Sequence, residues 1–95
     1  MKNREPHPGA ILRDEYIQFT GLDHVTIAKN LHVSEDRLDN LINANIGIDA
    51  EWALRLARCF GTPAHFWMNL QTRYDLCNAK NTLNDEIMQV RPLVT

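Results

Sequence analysis

The feature that most constrains this 95-residue chain is a pair of short amphipathic helical patterns that meet at a three-residue turn. His32, Val33 and Ser34 form the turn, and Ser34 is an N-cap residue that can accept a hydrogen bond from an early N–H of the second helix. Each pattern places its apolar residues on one face, at Leu22, Val25, Ala28 and Leu31 in the first and at Leu38, Leu41 and Ile42 in the second. The sequence therefore predicts two helices that pack through one face each.

Two helices joined by a tight turn make DNA a candidate partner. In a helix-turn-helix, one helix braces against the DNA backbone while the other enters the major groove. A two-helix unit covers one half-site, so a dimer with two-fold symmetry is expected to complete the contact.

The charge balance argues against a nucleic-acid partner. The net charge is −2 at pH 7, whereas Lys and Arg contacts to phosphate normally supply most of the affinity for DNA. Between positions 21 and 49, two basic residues, Lys29 and Arg37, stand against five acidic ones, Asp23, Glu35, Asp36, Asp39 and Asp49. We therefore expect DNA binding that is weakened or unusually selective.

Three further helices are predicted around the pair. The first begins near Pro8 and ends at Gly21, and another begins after the N-cap Asp49, carries Arg55 and Arg58 facing outward, and ends at Gly61. The last begins with Thr62 as its cap and Pro63 in its first turn. Five short helices predict a compact all-α fold.

The chain is long enough for one domain with one core. Residues 1–7 are expected to form a loose N-terminal arm and residues 8–78 the helix-turn-helix domain. Residues 79–95 are expected to form a short C-terminal tail of uncertain structure. There the pattern allows either a helix over 82–89 or an extended edge segment over 87–94.

Several other classes are disfavoured by the composition. No apolar run approaches the roughly 20 residues that cross a bilayer, and no signal peptide is visible, so we expect a cytoplasmic protein. Cys59 and Cys77 form no CxxC pair and the four histidines show no ligand spacing, which favours buried thiols over a disulfide or a metal site. Because no nucleophile–base pair or phosphate-cradling glycine loop is present, we expect neither an enzyme nor a cofactor.

Most of the chain resembles a known family. HPGAILRDEYI, the helix-turn-helix and ALRLARCFGTPAHFWMNLQTRYDL are similar to the HigA/VapI-type antitoxins of the Xre, lambda-repressor-like group, over residues 7 to about 78. The resemblance implies a lambda-repressor-like domain that dimerises, binds an operator in its own promoter and binds a partner toxin, usually a RelE-like ribonuclease that cleaves translated mRNA. The chain departs from the family at His32, where members usually have Gly in the turn.

Ser34 and Arg37 lead the residues expected to contact DNA. Ser34 and the N–H groups after it would bind a phosphate at the positive end of the second helix, or Ser34 would serve as an N-cap alone. Arg37 is the main candidate for base reading, since a guanidinium can bond both acceptors of a guanine edge. The alternative for Arg37 is an ion pair with Asp36 or a surface salt bridge of little energy.

The other DNA candidates are uncharged or acidic, apart from one lysine and one histidine. Asn40 would bond adenine or face solvent, and a carboxylate of Glu35, Asp36 or Asp39 would accept from a cytosine amino group or only stabilise its helix through the dipole. The candidates for backbone contacts are His24, Thr26, Lys29, Asn43 and Asn45. The alternative is a plain surface position for His24 and Thr26, and turn formation alone for Asn43 and Asn45.

Aromatic residues concentrate near the end of the domain. Phe66, Trp67, Leu70 and Tyr74 either complete the monomer core or form part of a homodimer interface, and we expect part of this surface to meet a second copy. The leading hypothesis is an antitoxin and transcriptional autorepressor whose acidic surface suits a basic ribonuclease toxin. The alternative is a protein-only interaction module that keeps the helix-turn-helix as a scaffold and has lost DNA binding.

Overall fold

The computed structural model describes residues 4–94, which form five helices and no strand, as predicted. The first helix, α1, covers residues 8–20 as three continuous segments, Pro8–Leu12, a π-helical Arg13–Ile17 and Gln18–Thr20. The other four are α2 (His24–Leu31), α3 (Glu35–Ile42), α4 (Ala50–Phe60) and α5 (Ala64–Ile87).

The helix ends follow the local signals of the sequence. Asp23, Ser34 and Asp49 each accept a hydrogen bond from the backbone N–H three residues further on, at 2.9, 3.1 and 2.9 Å. Gly21 and Gly61 end α1 and α4 with left-handed φ angles of 68° and 70°. The starts predicted at Ser34 and Asp49 and the stops predicted at Gly21 and Gly61 are confirmed, and Asp23 is a further N-cap.

One hydrophobic core holds the five helices together. The predicted inner face of the first motif helix is right only in part: Leu22, which precedes α2, and Val25 are 46% and 41% exposed, and Ile27 lies on the inner face with Ala28 and Leu31. In α4, Trp52, Ala53 and Leu56 are buried, and Phe60 is half-buried against the core. The largest fully buried side chains of the core are Trp52, Trp67, Leu12, Ile27, Leu38, Leu41 and Leu56.

Gly9 lets α1 pack directly on the backbone of α3. A Cβ atom added at this buried glycine would overlap the carbonyl oxygen of Leu41 and lie 2.8 Å from its carbonyl carbon. Because both atoms belong to the backbone, no side-chain rotation relieves the overlap. The position of α3 is therefore tied to α1 at this crossing.

The N-terminal arm is docked over residues 4–7, which corrects the expectation of a loose segment. The His7 ring accepts a hydrogen bond from the Gly9 N–H at 2.9 Å and packs edge-on against Tyr74. Burial lowers the pKa of His7, which favours the neutral ring that can accept this bond. Arg73 binds Glu5 at 3.2 Å, so the arm follows α5, while residues 1–3 lie outside the described residues.

The last helix starts and ends differently from the expectation. It begins at Ala64, and Thr62 does not cap it but accepts a hydrogen bond from Trp67 Nε1 at 2.8 Å. It continues through Ile87, so the helical alternative for the tail is confirmed to that point. The extended alternative is wrong, because residues 88–94 form turns and irregular backbone; Thr95 lies outside the described residues.

Replacing Gly9 with alanine tests the crossing of α1 and α3. We expect Gly9→Ala to lower the free energy of unfolding by about 3 kcal/mol, because a backbone overlap must be relieved by moving a helix. Gly61→Ala is the control: its Cβ meets open space, so only the left-handed backbone penalty of about 1 kcal/mol applies. Urea unfolding measures both, and a Gly9→Ala protein as stable as the parent would contradict the crossing.

Candidate nucleic-acid interface

The turn between α2 and α3 is tight and contains a strained residue. His32 lies in the left-handed region at φ 57° and ψ 43°, a conformation that costs a non-glycine residue about 1 kcal/mol. The N–H groups of His32 and Val33 donate to the carbonyls of Lys29 and Ala28, both at 3.1 Å. The turn therefore keeps the geometry that glycine normally supplies, at a small cost in stability.

Arg55 of α4 supports this turn from behind. Its Nη1 donates to the carbonyl oxygens of Leu31 and His32 at 2.9 and 3.3 Å. These carbonyls stand at the C-terminus of α2, where backbone acceptors lack helical partners and a cation is favoured. The prediction that Arg55 faces outward is wrong, because its guanidinium fixes the end of α2.

The outward face of α3 is polar and uncovered by the rest of the described chain. Leu38, Leu41 and Ile42 are buried, so the opposite side of this helix carries Asp36 and Asn40, which are exposed and separated by one turn. Asn43, at the C-cap, is exposed on the same side. Three predicted DNA contacts are thus brought onto one face.

On the side of α3 that faces α4, Arg37 is held within the chain. Its Nη1 lies 3.4 Å from Glu51 Oε2, and its guanidinium carbon lies 5.1 Å from the centre of the Trp52 ring. Of the alternatives to base reading, the structure shows the surface salt bridge, with Glu51 and not Asp36 as the partner. Arg37 remains about two-fifths exposed and next to the outward face.

On the side that faces α2, His24 contacts Asp39. The two side chains meet at 3.1 Å between Nδ1 and Oδ1, which links the first turn of α2 to the middle of α3. This contact engages Asp39 beside the outward face, and both side chains stay about two-fifths exposed.

The five acidic residues between positions 21 and 49 have distinct structural roles. Asp23 and Asp49 are N-caps and Asp39 contacts His24, so three of the five carboxylates are engaged within the fold. Glu35 and Asp36 are exposed in the first turn of α3 and form no ion pair with any residue of the range 4–94. The helix dipole favours acids at this end, which explains their presence without a ligand.

The remaining candidates lie beside α3 or at its end. Thr26 and Lys29 are exposed on α2, and Asn45 Nδ2 donates to Asn40 Oδ1 at 3.3 Å. In the connection between α3 and α4, Ala44 takes the left-handed conformation, with φ 63°.

The dimer candidates on α5 pack within one chain. Trp67 is fully buried and therefore belongs to the monomer core, which corrects its assignment to an interface. Phe66 and Leu70 are half-buried against the same core, and Tyr74 packs on His7. An interface role for these three stays a prediction.

Neither a membrane span nor a metal cluster is found in residues 4–94. None of the helices there combines the length and apolar character that crossing a bilayer requires. No group of three or more His, Cys, Asp or Glu residues in that range is placed to hold a metal ion. Cys77 is buried and Cys59 half-buried, and burial raises the pKa of the Cys59 thiol.

Sequence reasoning missed the part of the site that α4 supplies. Glu51 and Arg55 are four residues apart, a spacing that predicts an ion pair on a helix, and their contact at 2.9 Å fits it. The contacts of this pair with Arg37 and with the α2 carbonyls join residues distant in sequence. No local signal indicates them.

Comparison with known proteins places the chain among helix-turn-helix antitoxins. No protein-family model matches it. Virulence-associated protein I of Dichelobacter nodosus is 49% identical over 77 residues, which cover 79% of this chain and 71% of that protein. Antitoxin HigA-1 of Vibrio cholerae is 30% identical over 97% of this chain and 87% of that protein. A solved structure of the Pseudomonas aeruginosa antitoxin HigA with the higBA promoter is 38% identical, with a TM-score of 0.89 over 96% of this chain and all of that one.

Replacing Arg55 tests its role behind the turn. We expect Arg55→Met to lower the free energy of unfolding by about 1–3 kcal/mol, because two helix-end carbonyls lose a charged donor. Arg58→Met, an equal change on the exposed side of α4, should alter stability by less than about 0.5 kcal/mol. Equal urea midpoints for the two variants would show that the Arg55 contacts contribute nothing.

Proposed function

We propose that this chain, which belongs to the HigA/VapI family of helix-turn-helix antitoxins and transcription regulators, binds operator DNA in its own promoter through α2 and α3. That family is not enzymatic. The observation that carries the proposal is the outward face of α3, where Asp36, Asn40 and Asn43 are uncovered while the inner face is fully buried. The Pseudomonas aeruginosa HigA structure with its promoter supports this use of the fold.

The contacts with DNA would combine a helix N-terminus with polar side chains. The N–H groups after Ser34 favour a phosphate, and Asn40 suits the adenine edge in the major groove. Glu35 or Asp36 would accept from a cytosine amino group, while His24, Thr26, Lys29, Asn43 and Asn45 would contact the backbone. Since few of these residues are cationic, we expect modest affinity and a strong dependence on the right sequence.

A homodimer would place two such faces on one operator. The outer half of α5 exposes Leu76, Leu83 and Ile87 by 57%, 41% and 56%. Their spacing of seven and four residues puts them on one face, and exposed apolar stripes of this kind mark interaction sites. We therefore extend the predicted interface from Phe66, Leu70 and Tyr74 toward this stripe.

The second partner would be a toxin, in keeping with the antitoxin family. We propose a RelE-like ribonuclease, because a protein that binds RNA is basic and the first turn of α3 offers two unpaired carboxylates. The same carboxylates favour the alternative function, a protein-only interaction module whose α3 no longer binds DNA. Both functions place the protein in the cytoplasm.

Replacing Asn40 tests base reading by α3. Asn40→Ala should weaken binding to the duplex immediately upstream of the reading frame by about 1–3 kcal/mol and relax the preference at one A·T pair. Fluorescence anisotropy gives the affinity, and selection from randomised duplexes gives the preference. Asn69→Ala, at an exposed position of α5, serves as the control. Unchanged affinity and preference in Asn40→Ala would remove this residue from the reading set, and a wild-type chain that ignores the duplex would favour the protein-only module.

Charges on the outer stripe of α5 test the dimer. The double variant Leu83→Glu, Ile87→Glu should be monomeric at concentrations where the parent is dimeric, because four carboxylates would meet in an apolar contact. Asn78→Glu adds a charge at an exposed position elsewhere on α5 and should leave the parent assembly intact. Sedimentation equilibrium measures the mass of each. A dimer that survives the double variant would place the interface elsewhere.

A further inference from the structure

We infer that Glu51 is a positioning residue that competes with DNA for Arg37. In the unbound chain its carboxylate holds the Arg37 guanidinium on Trp52, and operator binding must release that contact before Arg37 reaches a guanine or a phosphate. This inference rests on the proposed operator binding. It assigns a role in DNA affinity to a residue of α4, outside the helix-turn-helix.

The arrangement of the three side chains defines the competition. Glu51 Oε2 lies 3.4 Å from Arg37 Nη1 and 2.9 Å from Arg55 Nε. Trp52 is 2% exposed and the Arg37 guanidinium lies over its ring, a stacking that suits the flat, weakly hydrated cation. Arg37 therefore lies along α4, with a donor occupied by Glu51.

Arg55 makes Glu51 a fixed competitor. It is anchored on the carbonyls of Leu31 and His32, so the carboxylate that it binds has a defined position beside α3. The Arg55 hydrogen bond, followed by the Arg37 charge, holds the pKa of Glu51 below its usual range. The carboxylate is thus ionised wherever DNA binding is measured near neutral pH.

The contact is weak enough to open. The Arg37 and Glu51 side chains are 42% and 50% exposed, and ion pairs of this exposure contribute little. A guanine edge offers a guanidinium two acceptors in the geometry it prefers, and a phosphate offers a full charge. Because operator binding must break the Arg37–Glu51 contact, the operator affinity is lower by a small factor than it would be without Glu51.

Two substitutions separate this role from simple loss of charge. Glu51→Gln removes the charge and Glu51→Asp keeps it but withdraws it by one methylene. We expect Glu51→Gln to tighten binding to the upstream duplex about two- to fivefold, the range of an exposed ion pair, and Glu51→Asp to give part of that gain. Glu15→Gln removes an exposed carboxylate of α1 that forms no ion pair in residues 4–94 and that no proposed DNA contact uses, so it measures the effect of net charge alone.

The deciding readout is the coupling with Arg37. Each Glu51 variant is measured by anisotropy with Arg37 present and in an Arg37→Ala background, with urea unfolding to confirm folding. We expect Arg37→Ala to weaken binding and to abolish the gain of Glu51→Asp. The inference is overturned if Glu51→Gln and Glu51→Asp bind no tighter than the parent. It is also overturned if the gain of Glu51→Asp, or the gain of Glu51→Gln beyond that of the charge control, persists without Arg37. Failure of the parent itself to bind the upstream duplex at low salt would overturn the proposed function as well, which distinguishes the two failures.

Discussion

The close approach of α1 to α3 at Gly9 is the constraint on which the rest of the structure depends. Where the Gly9 Cα faces the Leu41 carbonyl, there is no room for a side chain, so α3 cannot shift along or away from α1 without losing its packing. With its inner stripe fixed there, an eight-residue helix is left with one polar face toward solvent. The fold thus presents α3 as a rigid element, although α3 alone is too short to be stable in water.

Contacts from two other helices complete the placement of α3 and give its two sides different characters. His24 of α2 contacts Asp39 on one side, whereas Glu51 and Trp52 of α4 hold Arg37 on the other. Between these two sides, the outward face of α3 exposes the amide of Asn40 and the carboxylate of Asp36. A surface of this kind is suited to hydrogen bonds with base edges more than to attraction of the phosphate charge. A helix-turn-helix in an acidic region is therefore compatible with DNA binding.

Local signals allowed the helix ends to be predicted, and long-range contacts limited the rest. Ser34 and Asp49 cap their helices through bonds that span three residues, so sequence alone suffices for them. In α2, Val25 and Ile27 compete for the inner face beside Ala28 and Leu31, and only packing against the other helices decides in favour of Ile27. The partner of Arg37 could not be predicted because Glu51 lies on another helix, and the neighbouring Asp36 was the simpler expectation.

The salt dependence of operator binding tests the central claim most directly. The affinity of the parent chain for the duplex upstream of its reading frame would be measured from low to physiological salt, beside a duplex of scrambled sequence. If the faces of two α3 helices lie against DNA, the logarithm of the affinity falls linearly with the logarithm of the salt concentration. The slope is about −3.6 or steeper for at least two phosphates per subunit, which is four per dimer. At every salt concentration the chain binds the upstream duplex more tightly than the scrambled one. An affinity that is absent at low salt, or equal for both duplexes, would contradict the account.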